Sequence, residues 1–159
     1  MSFSYQQSVG KYNKEAIPGD RANNQEVIYT PENLVAKGGT AVAVQVGNFA
    51  WRDTTNPELC VGGGTGAPVG FVERVQDNPN YEISTEGTLV VPGGATAEIA
   101  VKGDFFIEAD ATTSAGATVY ATLSNGAPTL TSVSGSTVDT GFTTWGATTS
   151  GSMAIITKR

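Results

Sequence analysis

The chain contains no histidine and a single cysteine among its 159 residues. Histidine is the commonest general base and metal ligand at neutral pH, so its absence rules out Ser-His-Asp and Cys-His catalytic arrangements. One thiol, Cys60, can form neither an intramolecular disulfide nor a thiolate zinc site. We therefore expect Cys60 to be a small buried apolar residue, and we expect no bound metal or cofactor.

Charged side chains are also scarce, at 15% of the residues, and the net charge is −6. The nine basic residues are scattered, with only Lys158 and Arg159 adjacent. Proteins that bind nucleic acids usually present a basic face to the phosphates, so we expect no direct nucleic-acid contact. No apolar run approaches the ~18 residues that span a bilayer, and the first residues lack the apolar stretch of a secretory signal. We expect a soluble protein made in a cytoplasm, without membrane contact.

Glycine is abundant, at 20 residues, and it separates short runs of Val, Ile, Phe and Thr. Each run has the length of a strand, and each break has the Gly, Asn or Asp that a tight turn requires. This pattern predicts an all-β fold, a small antiparallel β-barrel or β-sandwich. The predicted strands cover residues 41–46, 49–52, 81–85, 89–91, 105–109, 119–123, 129–133, 141–145 and 153–157.

Other segments are predicted to connect these strands. Pro31 favours one helical turn over residues 31–36, because Gly38 and Gly39 would end it. Residues 54–66 are predicted to form a loop, and Gly103-Asp104 is predicted to form a turn. Asn125-Gly126 is a strong hairpin signal.

The first 32 residues differ from the rest, because they are polar and show neither strand nor helix periodicity. We interpret residues 1–32 as an extended N-terminal arm and residues 33–159 as the β domain. Spaced apolar side chains, chiefly Tyr5, Tyr12 and Ile17, suit an arm that becomes ordered on a partner's surface. A frayed terminus, or an arm that packs only on its own domain, remains the alternative.

Two patterns resemble catalytic or ligand-binding motifs only weakly. Residues 62–67 match G-x-G-x-x-A, but they lack the strand and helix that a dinucleotide site needs, so a loop is predicted. The carboxylates of Glu73, Asp77, Glu82 and Glu98 are expected to form a solvated face, because no spacing selects two of them as an acid–base pair. The sequence therefore favours a protein that is not an enzyme.

Four aromatic residues have specific expected positions. Strand alternation turns Phe105 and Ile107 inward and Phe106 outward, where Phe106 lies either under an edge loop or in an interface. Trp51 and Trp145 are expected in the core or at its edge.

Several pieces of the sequence, taken in order, resemble the tailed-bacteriophage head decoration proteins, also called structural cement proteins. They are LVAKGG (34–39), VGNFAWRD (46–53), GTGAPVGFVER (64–74), VVPGG (90–94), KGDFFIEA (102–109), AGATVYA (115–121) and GFTTWGATTSGSMAIIT (141–157). The family has no catalytic motif to transfer.

The resemblance implies a protein made in the host cytoplasm and carried on the exterior of the virion capsid. It would form a homotrimer, bind the outer surface of the expanded head and stabilise contacts between major capsid proteins. Tyr5, Tyr12, Ile17 and Phe106 are the candidate interface residues. The alternatives are a minor tail protein and a fibre or tail module that binds glycans on a platform of Trp51, Trp145 and Tyr81.

Overall fold

The computed structural model describes residues 16–75, 81–83 and 87–159. In these ranges the chain forms thirteen β-strands and no helix, which confirms the predicted all-β class. The strands are β1 Ile28–Tyr29, β2 Val35–Ala36, β3 Val44–Gln45, β4 Phe49–Arg52, β5 Leu59–Val61, β6 Gly70–Val72, β7 Glu82–Ile83, β8 Leu89–Val91, β9 Ile99–Glu108, β10 Thr118–Thr122, β11 Pro128–Thr129, β12 Thr137–Thr144 and β13 Met153–Lys158.

The strands form a large sheet and a small one. The large sheet has the order β11-β10-β12-β13-β9-β6-β4-β5-β2, with β1 paired to β9, and the small sheet has the order β3-β8-β7. Neighbouring strands are antiparallel, except for the parallel pair of β2 and β5. Within the described part of the chain the sheets do not close into a barrel, so a sandwich-like arrangement is the form that fits.

The core has two parts of different chemistry. In the first, Phe49, Phe71, Phe105 and Phe142 are almost fully buried, and the rings of Phe71 and Phe105 have centroids 5.0 Å apart. Edge-to-face and tilted contacts of this kind add to the energy of burial alone. The second part is aliphatic and lies where the small sheet covers one end of the large one. Its buried residues are Leu34, Ala36, Val44, Val46, Ala50, Cys60, Val72, Val91, Ala97, Ile99.

Strand β9 runs through the position where a turn was predicted. Gly103 has a φ of 142°, a backbone conformation that residues with a side chain rarely adopt. A Cβ at this position would meet the Phe105 ring at 2.9 Å. The predicted turn at Gly103-Asp104 is therefore wrong, because Gly103 lies inside the continuous strand β9. Glu98 and Phe106 line one cavity, although a straight strand would place them about 26 Å apart, so the chain curves between them.

Two further predictions of local structure are wrong for a common reason. Val35 and Ala36 form β2 rather than a helical turn, and the predicted loop 54–66 contains β5. The two strands pair with each other, Val35 opposite Leu59. Each is only two or three residues long, so the pairing comes from the tertiary fold and not from local propensity.

Residues 19–30 lie along β9 and are held there by backbone hydrogen bonds. The Gly19 amide donates to the Phe106 carbonyl at 2.9 Å, and the Ala22 amide donates to the Asp104 carbonyl at 2.9 Å. Further along, Ile28 pairs with Lys102. We call residues 19–30 the strap. The strap belongs to the segment interpreted as an arm, and the division of the chain at residue 32 stays a prediction.

The two tryptophans lie in different environments. Trp51 is 3% exposed, as predicted, whereas Trp145 is 63% exposed, so its predicted place in the core is wrong. Phe142 and Thr144 of β12 face inward, and alternation then turns Trp145 outward at the start of the hairpin to β13.

Candidate functional site

An open cavity of about 500 Å³ lies beside the strap, next to β6 and β9. Its walls carry charged groups from three segments that are distant in sequence, together with the partly exposed ring of Phe106. The lining residues are Asp20, Arg21, Tyr29, Glu73, Arg74, Val75, Glu98 and Phe106.

Arg21, Tyr29 and Glu73 form a hydrogen-bonded triad on one wall of this cavity. The Arg21 Nε donates to Glu73 Oε1, and its Nη2 donates to the Tyr29 hydroxyl. The Tyr29 hydroxyl in turn donates to Glu73 Oε2 at 2.5 Å. Glu73 is only 4% exposed, so the prediction that it belongs to a solvated face is wrong. A buried carboxylate needs such partners, because burial of an unpaired charge costs the folded state a large amount of free energy.

The pKa values of Arg21 and Tyr29 are both raised. Burial, followed by the hydrogen bond to Glu73, raises the pKa of Tyr29 to about 12. The hydrogen bond to Glu73 likewise raises the pKa of Arg21. Both groups therefore keep their protons at neutral pH and act as donors. The triad joins the strap to the end of β6. Because its hydroxyl group keeps its proton, Tyr29 cannot serve as a base.

A second charge pair and a second carboxylate reinforce the strap. Arg74 Nη1 donates to Asp20 Oδ1 at 3.0 Å. Asp104, also buried, accepts from Asn23 at 2.6 Å and from Arg159 at 3.1 Å. Burial raises the pKa of Asp104, but hydrogen bonds from Thr157 and Asn23 and the Arg159 charge outweigh it and lower the pKa overall. Asp20 and Arg21 of the strap are thus each fixed by an ion pair with a residue of another segment.

The structure places two of the four candidate interface residues. Phe106 lies in the cavity, as its outward orientation predicted. Ile17 is 43% exposed and lines a separate small cleft with Val46 and Leu89. It lies two residues before Gly19, whose amide bonds to Phe106. Tyr5 and Tyr12 lie outside the described residues. That any of the four contacts a partner stays a prediction.

Sequence reasoning missed the triad. Arg21 and Glu73 are separated by 52 positions, and no local pattern connects them.

The glycines of segment 62–67 allow neighbouring residues to pack closely against its backbone. A Cβ at Gly64 would meet the Trp51 ring at 2.6 Å, and one at Gly62 would meet the Ala43 carbonyl oxygen at 1.9 Å.

Among the described residues, no group of three acidic, cysteine or histidine side chains is placed to hold a metal ion. The same residues include no helix of the length and apolarity that crossing a membrane would take.

The proposed glycan-stacking platform does not form. Trp51 is buried, and its indole Nε1 donates to the Gly66 carbonyl at 2.9 Å. The Tyr81 hydroxyl accepts from the Val75 amide at 2.9 Å, and its ring packs on the aliphatic core. Stacking a sugar needs exposed ring faces, and Trp51 offers none. This part of the sequence interpretation is wrong.

The described residues form an all-β fold in which charged and apolar side chains line an open cavity. Residues 5–158 match the family model described as structural cement protein (E217 gp24/Pam3 gp6). The chain belongs to this family. It is a phage capsid cement protein, a structural component of the virion.

A solved structure shares the fold. A chain of the structure titled "The capsid of Myoviridae Phage XM1" superposes with a TM-score of 0.64 at 15% identity, over 98% of this chain and 97% of that chain. No curated protein matches the sequence.

Proposed function

We propose that the protein binds the outer surface of the expanded head, stabilises contacts between neighbouring major capsid proteins and catalyses no reaction. The match of residues 5–158 to the cement family carries this proposal. The absence of histidine from the sequence and the pairing of Arg21, Glu73, Asp20 and Arg74 with one another agree with a role without catalysis.

Capsid contact is assigned to Tyr5, Tyr12, Ile17 and Phe106. The exposed position of Ile17 above an apolar cleft supports its part in this assignment, as does the partly exposed ring of Phe106 in an open cavity. Apolar side chains that a partner fully desolvates in a well-packed pocket contribute most to binding.

The protein is further proposed to act as a homotrimer on the capsid. A closed three-fold contact leaves no unsatisfied surface at which a filament could grow. The neutral Thr, Ser and Gly surface is cheap to desolvate, and Trp145, 63% exposed, offers a large aromatic anchor. Sedimentation of the wild type should show a trimer, and Trp145→Ser should weaken that trimer. A wild type that is monomeric at all concentrations and on heads would contradict the proposed homotrimer.

Deletion of residues 1–15 tests the arm. This cut spares the strap, so the β domain should stay folded by circular dichroism. We expect the truncated protein to bind emptied, expanded heads that lack the cement protein at least tenfold more weakly than the full chain does. Binding equal to that of the full chain would remove the arm from the contact. Failure of the full chain itself to bind heads would contradict the cement proposal.

Phe106→Ser tests the cavity in the same titration. Loss of the ring should remove apolar contact area at the capsid and lower the affinity. Val133→Ser is the matched control, since Val133 is 49% exposed on a loop that does not line the cavity. Equal effects of the two variants would show that Phe106 has no special part in binding.

A further inference from the structure

We infer that the cavity around Phe106 receives a basic side chain, arginine or lysine, of the capsid protein. This inference rests on the proposed function and specifies the chemistry of the partner at one site.

The charges of the cavity favour a cation. Asp20 is paired with Arg74, and Glu73 is paired with Arg21. Glu98 is exposed and has no ion-pair partner among the described residues. The cavity therefore holds three carboxylates against two guanidinium groups, and the carboxylate of Glu98 is the one left to bind an incoming group.

The apolar part of the cavity suits the stem of a long basic side chain. Phe106 and Val75 line it beside the charged groups. Arginine and lysine bury their methylene stems on such surfaces while the charged head reaches a carboxylate, and a cation over an aromatic face gains further energy. The same contact occurs in the wall, where the Arg21 guanidinium lies 5.9 Å from the centre of the Tyr29 ring.

The cavity is also held in shape before any partner arrives. Backbone hydrogen bonds join Gly19 to Phe106 and Arg74 to Gly19, each at 2.9 Å. The Glu73 amide donates to the Glu98 carbonyl at 2.9 Å. These bonds fix the three walls relative to one another. Binding therefore costs little conformational entropy in the residues of the cavity.

An acidic side chain fits less well. The guanidinium groups of Arg21 and Arg74 already bind carboxylates, and an incoming carboxylate would meet the uncompensated charge of Glu98. Like charges brought together at an interface oppose binding.

The test compares Glu98→Gln with Glu108→Gln in titrations onto emptied, expanded heads at low and high salt. Glu108 is an exposed carboxylate at the end of β9, the strand that Glu98 precedes, and it does not line the cavity. We expect Glu98→Gln to bind about three- to tenfold more weakly at low salt and to show a smaller difference from the wild type at high salt. Glu108→Gln should bind as the wild type does. Glu98→Lys should lose more affinity than Glu98→Gln, with an unchanged circular dichroism spectrum.

Each other outcome overturns the inference. If the wild type binds and Glu98→Gln binds equally well, no cation contacts Glu98, while the cement proposal stands. If Glu98→Gln binds more tightly, the capsid presents an acidic group. If the wild type does not bind heads, the cement proposal fails and this inference fails with it.

Discussion

The strap side of the molecule is held by ion pairs, whereas residues 110–150 are held by hydrogen bonds without ion pairs, many of them from threonine hydroxyl groups. On the strap side, Arg21, Arg74 and Arg159 each contact a carboxylate. No ion pair of the described residues falls within 110–150. There, Thr148 Oγ1 donates to the Ala111 carbonyl at 2.8 Å and accepts from the Thr113 amide at 3.0 Å.

The difference shows two ways of satisfying polar groups in a chain with little charge. A buried charge stabilises the fold only while its partner is present, and removal of the partner leaves a large desolvation cost. Burial of a hydroxyl group costs less free energy than burial of a charge. Removal of a hydroxyl group's partner also lowers the free energy of unfolding by less. The strap should therefore be the more sensitive region to single substitutions.

The largest effect is expected for Arg21→Met. Glu73, 4% exposed, would keep only the donor of Tyr29, so the free energy of unfolding should fall by about 2–3 kcal/mol. Arg52→Met is the control, because its partner Glu32 is 54% exposed and the pair should contribute under about 1 kcal/mol. Urea denaturation measures both.

The double variant Arg21→Met/Glu73→Leu sharpens this result. It removes the unpaired carboxylate, so much of the lost stability should return. A double variant as unstable as Arg21→Met would show that packing, and not charge, holds the strap.

A smaller effect is expected on the hydroxyl side for Thr148→Val. Two backbone groups lose a partner, and the free energy of unfolding should fall by about 1–2 kcal/mol. The exposed neighbour Thr149→Val should change it by less than about 0.5 kcal/mol. A loss at Thr148 equal to that of Arg21→Met would remove the contrast between the two regions.

The smallest effect concerns alkaline pH. The pKa of Tyr29 is raised to about 12 in the folded protein, so between pH 10 and 12 the folded state holds a proton that the unfolded state has released. The stabilisation from this group is complete below pH 10 and is lost as the pH rises through 12. Tyr29→Phe should therefore show a flatter decline of stability over this interval than the wild type. Tyr120→Phe, outside the triad, is the control, and equal slopes for all three proteins would contradict the assignment.

Sequence patterns predicted those parts of the fold that depend on neighbouring residues. Strands Phe49–Arg52 and Leu89–Val91 appear with the predicted bounds, and Phe105 is buried as strand alternation required. The hairpin at Asn125-Gly126 also joins two antiparallel strands. In each case the residues that determine the structure lie within a few positions of it.

Features that depend on distant residues were not predictable in this way. Gly103 looks like a turn residue, and only the pairing of β9 with β13 shows that it lies inside a continuous strand. Trp145 is apolar in type but lies beyond the last buried residue of its strand. The pairing of Arg21 with Glu73 has no local signal at all, so the cavity of the candidate site could not be found from the sequence.

The position of the strap in the chain has a consequence for folding. A ribosome adding about 5–20 residues per second needs between about 4 and 17 s to proceed from Arg21 to Asp104. Throughout this time the strap has no β9 to pair with, and its charged side chains keep it hydrated. Contacts of such high contact order form late. The first described segment to leave the ribosome is thus among the last to join the fold, and the cavity it borders exists only once β9 has been synthesised.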